Sequence, residues 1–174
     1  MHILILLISL IFSPAQQERK QLIITNQKVL VKGYTSLGSF NCDFQRLGKA
    51  DTLQLNSRPS DPAMQFQIPV KNFSCGNFLL NKDFRSTLKA EEYPFAQVQV
   101  KNFREKSGKI FCHLTINLVG KKLEFPDLML EKVNSGLMGK LILNFEMLNL
   151  DPPSKFGGMV KVEDQLDLEL ILGI

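Results

Sequence analysis

The chain has 174 residues, which is enough for one domain and too few for two comfortable hydrophobic cores. Its 21 basic and 17 acidic residues are interspersed, and the net charge is a modest +4. Because the sequence contains no block of like charge, it predicts no nucleic-acid-binding surface. The basic excess either keeps a solvated surface soluble or attracts anionic headgroups.

The amino terminus begins with an almost unbroken apolar run from Ile3 to Phe12, followed by Ser13-Pro-Ala15 and a polar segment. This run is about half as long as a bilayer-spanning helix. A short apolar run followed by small residues is typical of a secretory signal peptide, here residues 1–15, and a buried amino-terminal strand is the alternative. We therefore expect a periplasmic or secreted protein without an integral membrane segment, folded as a single domain over residues 16–174.

The first part of the mature chain alternates between apolar and polar residues. Leu22 to Ile24 and Val29 to Tyr34 predict a hairpin-like entry, with Asn26-Gln27 as its turn. Ser39 to Gln45 predicts a further strand. The segment Asn56 to Pro62 is rich in turn-forming residues and predicts a loop.

A strand, a short helix and a second strand follow. Met64 to Val70 and Ala96 to Val100 alternate with period two, which is typical of strands with one buried and one solvated face. Between them, Asn81 is a candidate cap for a short helix near residues 78–89. Pro94 blocks the helix and returns the chain to extended structure.

The remaining chain reads as further short strands. Lys109 to Val119 has the cleanest alternation, and Leu123 to Leu130 is interrupted by Pro126-Asp127. Lys140 to Leu148 and Asp164 to Leu172 alternate again. Short alternating strands separated by turn residues predict an all-β sandwich or barrel.

Several short motifs, in their order and spacing, resemble the YceI-like family of periplasmic lipid-binding proteins. They cover nearly the whole mature chain and are Ile68-Pro-Val-Lys-Asn-Phe73, Cys75-Gly-Asn77, Asn81-Lys-Asp-Phe84, Leu88-Lys-Ala90, Glu92-Tyr-Pro94, Leu148-Asn-Leu-Asp-Pro-Pro153 and Lys155-Phe-Gly-Gly-Met-Val-Lys-Val162. The resemblance implies an all-β, lipocalin-like antiparallel β-barrel of about eight strands with one short helix. It also implies an apolar interior that holds a polyisoprenoid chain, with no catalysis and no cofactor.

The apolar strand faces supply the candidate lining of that interior. Alternation alone does not distinguish a hollow barrel from a filled one, since barrels near eight strands exist in both forms. The candidate lining residues are Phe66, Ile68, Val98, Val100, Leu114, Ile116, Leu143, Phe145, Leu168 and Leu170. Lys82 and Arg85 on the short helix are either solvated or contacts for a polar head group. The expected partner is an isoprenoid or other long-chain lipid, and the sequence leaves a homodimer open.

Three cysteines leave one unpaired after any disulfide forms. Cys42 and Cys75 are the preferred pair, because each flanks a strand end or turn and export permits disulfides. Three unpaired thiols are the alternative. Cys112 lies in the middle of an apolar strand face, where it is expected to be a small core residue.

The sequence offers no catalytic or metal-binding constellation. His113 follows Cys112, but neighbouring residues of a strand point to opposite faces and cannot act as a nucleophile and its base. One histidine in the mature chain and dispersed cysteines give no zinc-ligand spacing. Two functions therefore remain: a lipid-binding barrel, or a filled barrel whose loops bind another envelope component. An enzyme is the least supported class.

Overall fold

The computed structural model describes residues 20–58, 61–155, 157 and 159–174. The predicted signal peptide over residues 1–15 lies outside these residues. Most of the described chain is extended. The strands are β1 (Gln21–Thr35), β2 (Gly38–Gln54), β3 (Met64–Pro69), β4 (Phe95–Lys106), β5 (Lys109–Leu118), β6 (Lys121–Val133), β7 (Gly136–Asn144), β8 (Ser154–Lys155) and β9 (Val160–Gly173). The helices are α1 (Phe78–Thr87) and two 3₁₀ turns, Val70–Asn72 and Glu146–Leu148.

Eight long strands form one antiparallel sheet in the order β2-β1-β9-β7-β6-β5-β4-β3, and β8 pairs with the start of β9. The carboxyl-terminal strand β9 lies between β1 and β7, so both ends of the chain contribute to the middle of the sheet. The sheet curls until its edge strands β2 and β3 meet. The predicted all-β fold, a lipocalin-like antiparallel barrel with one short helix, is confirmed.

Strand register places apolar side chains on the inside of the barrel. Val98 of β4 pairs with Phe66 of β3 and Ile116 of β5, and all three side chains are buried. The neighbouring Gln97 pairs with Gln67 and lies on the outer face, because successive side chains of a strand point to opposite faces. The alternation in the sequence is therefore the inside–outside pattern of a closed wall.

The barrel closes along a seam between β2 and β3, where the two edge strands do not form a continuous ladder. Asp43 of β2 and Ser74 exchange two backbone hydrogen bonds of 2.9 Å. Beside this bridge, Cys42 and Cys75 form a disulfide, which is the pair that the sequence analysis preferred. Residues beyond β3 thus close the seam with one backbone bridge and one covalent bond.

The capping residue of α1 differs from the predicted one. Asn77 precedes the helix in an extended conformation, and its side chain accepts a hydrogen bond from the Leu80 N–H at 2.9 Å. Asn81, the predicted cap, lies inside the helix, where its Oδ1 accepts from the Cys75 N–H at 2.6 Å. Asn81 therefore ties the helix to the disulfide loop.

The predicted turn at Asn26-Gln27 is wrong, because β1 is continuous. A β-bulge between Ile24 and Asn26 shifts the register and breaks the apolar alternation without ending the strand. The bulge turns Gln27 inward, where its amide Nε2 donates to Asp51 Oδ2 at 3.1 Å. The chain reverses later, between Thr35 and Gly38.

The predicted interruption of β6 at Pro126-Asp127 is also a bulge. Cys112 pairs with Leu128 and Leu114 pairs with Phe125, so β6 carries one extra residue opposite β5 and continues through the proline. A proline is tolerated at such a site because the ladder needs no N–H donor there.

The predicted strand from Lys140 to Leu148 ends early. β7 stops at Asn144, and Phe145 adopts a helical conformation that leads into the second 3₁₀ turn. The Phe145 N–H donates to Asp164 Oδ1 at 2.8 Å, which fixes this change of direction. Asn149, in the left-handed conformation with φ of 54°, then ends the turn.

The two ends of the barrel differ. At the closed end, around the β4–β5 and β6–β7 turns, inward side chains such as Val100, Ile110, Leu137 and Leu172 are buried in the core. Ile110 and Leu137 also border a groove of about 340 Å³ that includes charged residues such as Lys20, Glu105 and Lys132. At the other end, α1 and the β1–β2 turn lie across the opening. We call the half of the barrel beneath α1 the helix half.

Candidate functional site

The helix half of the barrel contains an apolar cavity of about 60 Å³, here called the inner cavity. All side chains that line it are apolar. They come from six strands (β1, β3, β4, β5, β7 and β9), from α1 and the residue after it, from the two 3₁₀ turns and from Phe73. The inward faces of most strands converge on this one space. Its side chains offer no hydrogen bond to a polar group, so the lining suits hydrocarbon.

Seven of the ten predicted lining residues surround the inner cavity. They are Ile68, Val98, Leu114, Ile116, Leu143, Leu168 and Leu170. Phe145 lines a second cavity instead. Phe66 lies in the core and borders a groove on the outer wall, and Val100 is fully buried in the core away from both cavities. Contact of any of the ten with a ligand stays a prediction.

A second space of about 120 Å³, here called the mouth cavity, lies between α1, the start of β2 and the start of β9. Phe40 and Val162 supply apolar walls, while Asp83 and Thr87 of α1 supply polar groups. The mouth cavity is thus the part of the site where an amphipathic ligand could place its polar end.

Three side chains are common to the two cavities. Phe84, Leu88 and Leu166 line both of them. The inner and mouth cavities are therefore neighbours that share three side chains of their walls.

The helix that covers these cavities is lightly attached. None of the ten residues of α1 is fully buried. Its apolar anchor is the ring of Phe84, whose centroid lies 5.1 Å from that of Phe73, and Phe73 in turn lies 5.9 Å from Phe44. Two hydrogen bonds, from the Cys75 N–H to Asn81 and from Arg85 to the Lys71 carbonyl, add to this contact. Because α1 contributes little buried area, moving it outward disturbs the core less than moving any long strand.

The unpaired cysteine is not suited to nucleophilic chemistry. Cys112 is fully buried, and desolvation raises the pKa of its thiol to about 12. The thiolate, which is the reactive form, is therefore scarce at neutral pH. His113 belongs to the opposite face of β5, so it does not assist the thiol.

The part of the chain that the structure describes contains neither a metal-ligand cluster nor a membrane-spanning helix. No group of three or more His, Cys, Asp or Glu side chains there is arranged to hold a metal ion. No helix there has both the length and the hydropathy needed to cross a membrane.

The sequence analysis missed several residues of the site. Val29 and Val31 line the inner cavity from β1, and their alternation was visible, but the predicted turn nearby hid their position in a long strand. Phe84 and Leu88 were visible as an apolar helix pair. Their position between the two cavities depends on how α1 lies over the barrel, which no sequence pattern shows.

No protein-family model and no curated protein sequence significantly matches the chain. Solved structures do match. BcnA of Burkholderia cenocepacia is 16% identical, with a TM-score of 0.57 over 84% of this chain and 94% of that one.

Two further matches are more distant in sequence. A polyisoprenoid binding domain of Saccharophagus degradans, implicated in plant cell wall breakdown, is 11% identical, with a TM-score of 0.53 over 86% of this chain and 97% of that one. The YceI protein of Campylobacter jejuni is 12% identical, with a TM-score of 0.51 over 65% and 71% of the two chains. The chain therefore has a YceI-like fold, in agreement with the resemblance found in its sequence.

Proposed function

We propose that this protein is an exported carrier that holds one polyisoprenoid or similar long apolar chain in the helix half of its barrel. The observation that carries the proposal is the apolar inner cavity, which shares the lining residues Phe84, Leu88 and Leu166 with the mouth cavity. Likeness in fold to a polyisoprenoid binding domain supports the choice of ligand class. Binding, and not catalysis, is the proposed activity.

Burial of hydrocarbon supplies the affinity. Each buried CH₂ group contributes about 0.8 kcal/mol, so a segment of roughly ten such groups gains about 8 kcal/mol before the cost of ordering the ligand. No hydrogen bond to the ligand is required for this gain. The polar end of the ligand would remain at the mouth cavity, near Asp83 and Thr87.

The ligand must widen the route that it enters. The two cavities measure about 60 and 120 Å³, whereas sites for small ligands usually measure about 300–1,000 Å³. Phe84 and Leu88 belong to the lightly attached α1 and its carboxyl end, so rotation of these side chains with outward movement of α1 joins the two spaces. The buried core at the closed end limits how far the chain penetrates.

The same small volumes favour a second candidate function. If the side chains around the inner cavity do not move, the barrel is filled and its exposed loops would bind another envelope component. The two functions differ in one respect that can be measured, namely whether the helix half accepts a hydrocarbon chain.

A matched pair of substitutions on β4 separates these functions. Ala96 lines the inner cavity, while the adjacent Gln97 is exposed on the outer wall. Ala96→Leu adds three carbons inside the cavity, and Gln97→Leu adds a similar apolar side chain outside it. Both proteins, expressed as the full chain, are incubated with the long isoprenoid alcohol solanesol, separated from unbound lipid, extracted with organic solvent and quantified by mass spectrometry.

We expect near-unit stoichiometry for the unmodified protein and for Gln97→Leu, and at least a tenfold loss of bound alcohol for Ala96→Leu. Thermal unfolding measured in parallel shows whether Ala96→Leu is folded. Equal binding by the two variants, or no binding by the unmodified protein to solanesol or to a long-chain fatty acid, would reject the carrier.

Export forms a separate part of the proposal. Disulfides are typical of oxidising compartments, and the Cys42–Cys75 bond is consistent with a periplasmic or secreted protein. Amino-terminal sequencing of the mature protein from a secreting host is expected to show cleavage after Ala15. An intact amino terminus in the cytoplasmic fraction would contradict export.

A further inference from the structure

Several strongly exposed apolar side chains lie around the mouth of the barrel, although others, such as Leu47 of β2 at 70%, lie elsewhere. Among the large apolar side chains that the structure describes, Phe78, Leu37 and Met159 are the most exposed, at 82%, 79% and 76%. Phe78 begins α1, and Leu37 forms the tip of the β1–β2 turn. Met159 lies against that turn, because Ser36 Oγ donates to the Met159 carbonyl at 3.2 Å. Single exposed apolar residues are ordinary, but a group of them around an opening marks an interaction surface.

The outward face of α1 continues this group. Phe78, Leu79, Lys82 and Arg85 are exposed and recur at the three- and four-residue spacing of one helix face. The opposite face, which includes Leu80 and Phe84, lines the mouth cavity. A helix with apolar and basic residues on its free face has the composition of helices that lie in a membrane interface.

The charge around this face is positive. Arg85 Nη2 donates to the Lys71 carbonyl at 2.7 Å, which holds the guanidinium beside a second exposed basic residue. Between residues 71 and 92, the four basic residues Lys71, Lys82, Arg85 and Lys89 outnumber the three carboxylates Asp83, Glu91 and Glu92. Asp83 lines the mouth cavity, so the exposed face of α1 carries the two cations Lys82 and Arg85.

We infer that the docking face, defined as Leu37, Phe78, Leu79, Lys82, Arg85 and Met159, seats the protein on the surface of an anionic phospholipid membrane. The apolar side chains enter the boundary between headgroups and acyl chains, and the two cations contact the headgroups. In this orientation the mouth cavity opens toward the bilayer. The inference goes beyond the proposed function, since docking requires no ligand inside the barrel.

Vesicle flotation tests the inference directly. The full-length protein is mixed with vesicles of phosphatidylcholine alone or of phosphatidylcholine with phosphatidylglycerol, at low and high salt. We expect binding to the anionic vesicles that weakens as salt rises. Lys82→Gln combined with Arg85→Gln is expected to weaken binding about 30-fold, the equivalent of roughly 2 kcal/mol for two cations.

One further double variant tests the apolar contacts with the membrane, and another serves as its control. Phe78→Ser combined with Leu79→Ser is expected to weaken vesicle binding at least tenfold. Ile23→Ser combined with Ile142→Ser removes two side chains of 57% and 56% exposure from strands β1 and β7, outside the docking face, and is expected to leave binding unchanged.

Absence of binding to anionic vesicles, or full binding by both docking-face variants, would overturn the inference. Failure of the carrier proposal is distinguishable from failure of this one. Ala96→Leu blocks the inner cavity and is expected to bind vesicles normally, whereas Phe78→Ser/Leu79→Ser is expected to retain solanesol supplied in solution.

Discussion

The disulfide at the seam is expected to hold the barrel closed. Cys42 and Cys75 are separated by 33 residues in sequence, and the covalent bond lies next to the backbone bridge between Asp43 and Ser74. In the chain-entropy model, a cross-link of this span stabilises the folded protein by about 4 kcal/mol, because it restricts the conformations of the unfolded chain. Breaking the bond is expected to lower the free energy of unfolding by this amount. For a domain of this size, that corresponds to a fall in melting temperature of about 8–16 °C.

Chemical reduction is the cleanest perturbation, because it breaks the bond without removing buried atoms. Urea unfolding of the oxidised and reduced protein gives the difference in free energy, and amide exchange of Asp43 and Ser74 reports on the seam itself. The control is Cys42→Ala combined with Cys75→Ala, whose stability should not respond to reductant. A difference in the free energy of unfolding below about 1 kcal/mol between oxidised and reduced protein, with unchanged amide exchange, would mean that the disulfide does not hold the seam closed.

Four further results are expected. Asn77→Ala removes the α1 cap and should lower the free energy of unfolding by about 1 kcal/mol in urea titration; no loss would mean that the cap is not formed. Gly136→Ala places a Cβ 2.0 Å from the Leu172 carbonyl oxygen at φ of +140° and should lower the free energy of unfolding by about 2–4 kcal/mol. The loss should be smaller for Gly157→Ala, because the added carbon there meets no atom within 4 Å. The Cys112 thiol should resist a disulfide reagent at pH 8 and react after denaturation, because burial raises its pKa to about 12; rapid reaction of the folded protein would contradict this. The hydrogen bond from Tyr34 lowers the pKa of the Asp167 carboxyl, so the bond stabilises the fold above the unfolded-state pKa of Asp167, and this stability is lost as pH falls through the folded-state pKa. Tyr34→Phe should raise the pKa of Asp167 measured by NMR, and an unchanged pKa would contradict the bond.

Much of the barrel wall could be predicted from the sequence, because alternation follows directly from the geometry of a strand. Lys109 to Val119 and Asp164 to Leu172 were found on this basis and correspond to β5 and most of β9. Two of the failures occur at bulges. One extra residue near Asn26 and another at Pro126-Asp127 break the alternation while the strand continues, so each break was interpreted as a turn or an interruption.

The candidate site was less predictable than the wall. Alternation along the strands places Ile68, Leu114 and Leu168 inside the barrel. It does not distinguish a residue beside a cavity from one in the packed core: Val100 was predicted on the same basis, and it is buried without lining the inner cavity. The division between packed core and cavity depends on side-chain volumes summed across many strands. The position of α1 over the mouth depends on tertiary contacts that link Phe84 through Phe73 to Phe44 of β2, and no local pattern in the sequence shows them.

Entry of a hydrocarbon chain into the helix half of the barrel from the mouth can be followed by methyl NMR of the protein titrated with solanesol. Contacts between ligand protons and the methyl groups of Leu143 and Leu168 report on the inner cavity, and Leu137 of the closed end is the internal reference. We expect contacts to Leu143 and Leu168 and none to Leu137. If neither inner-cavity leucine shows a contact when the protein is saturated with lipid, the proposed carrier is wrong.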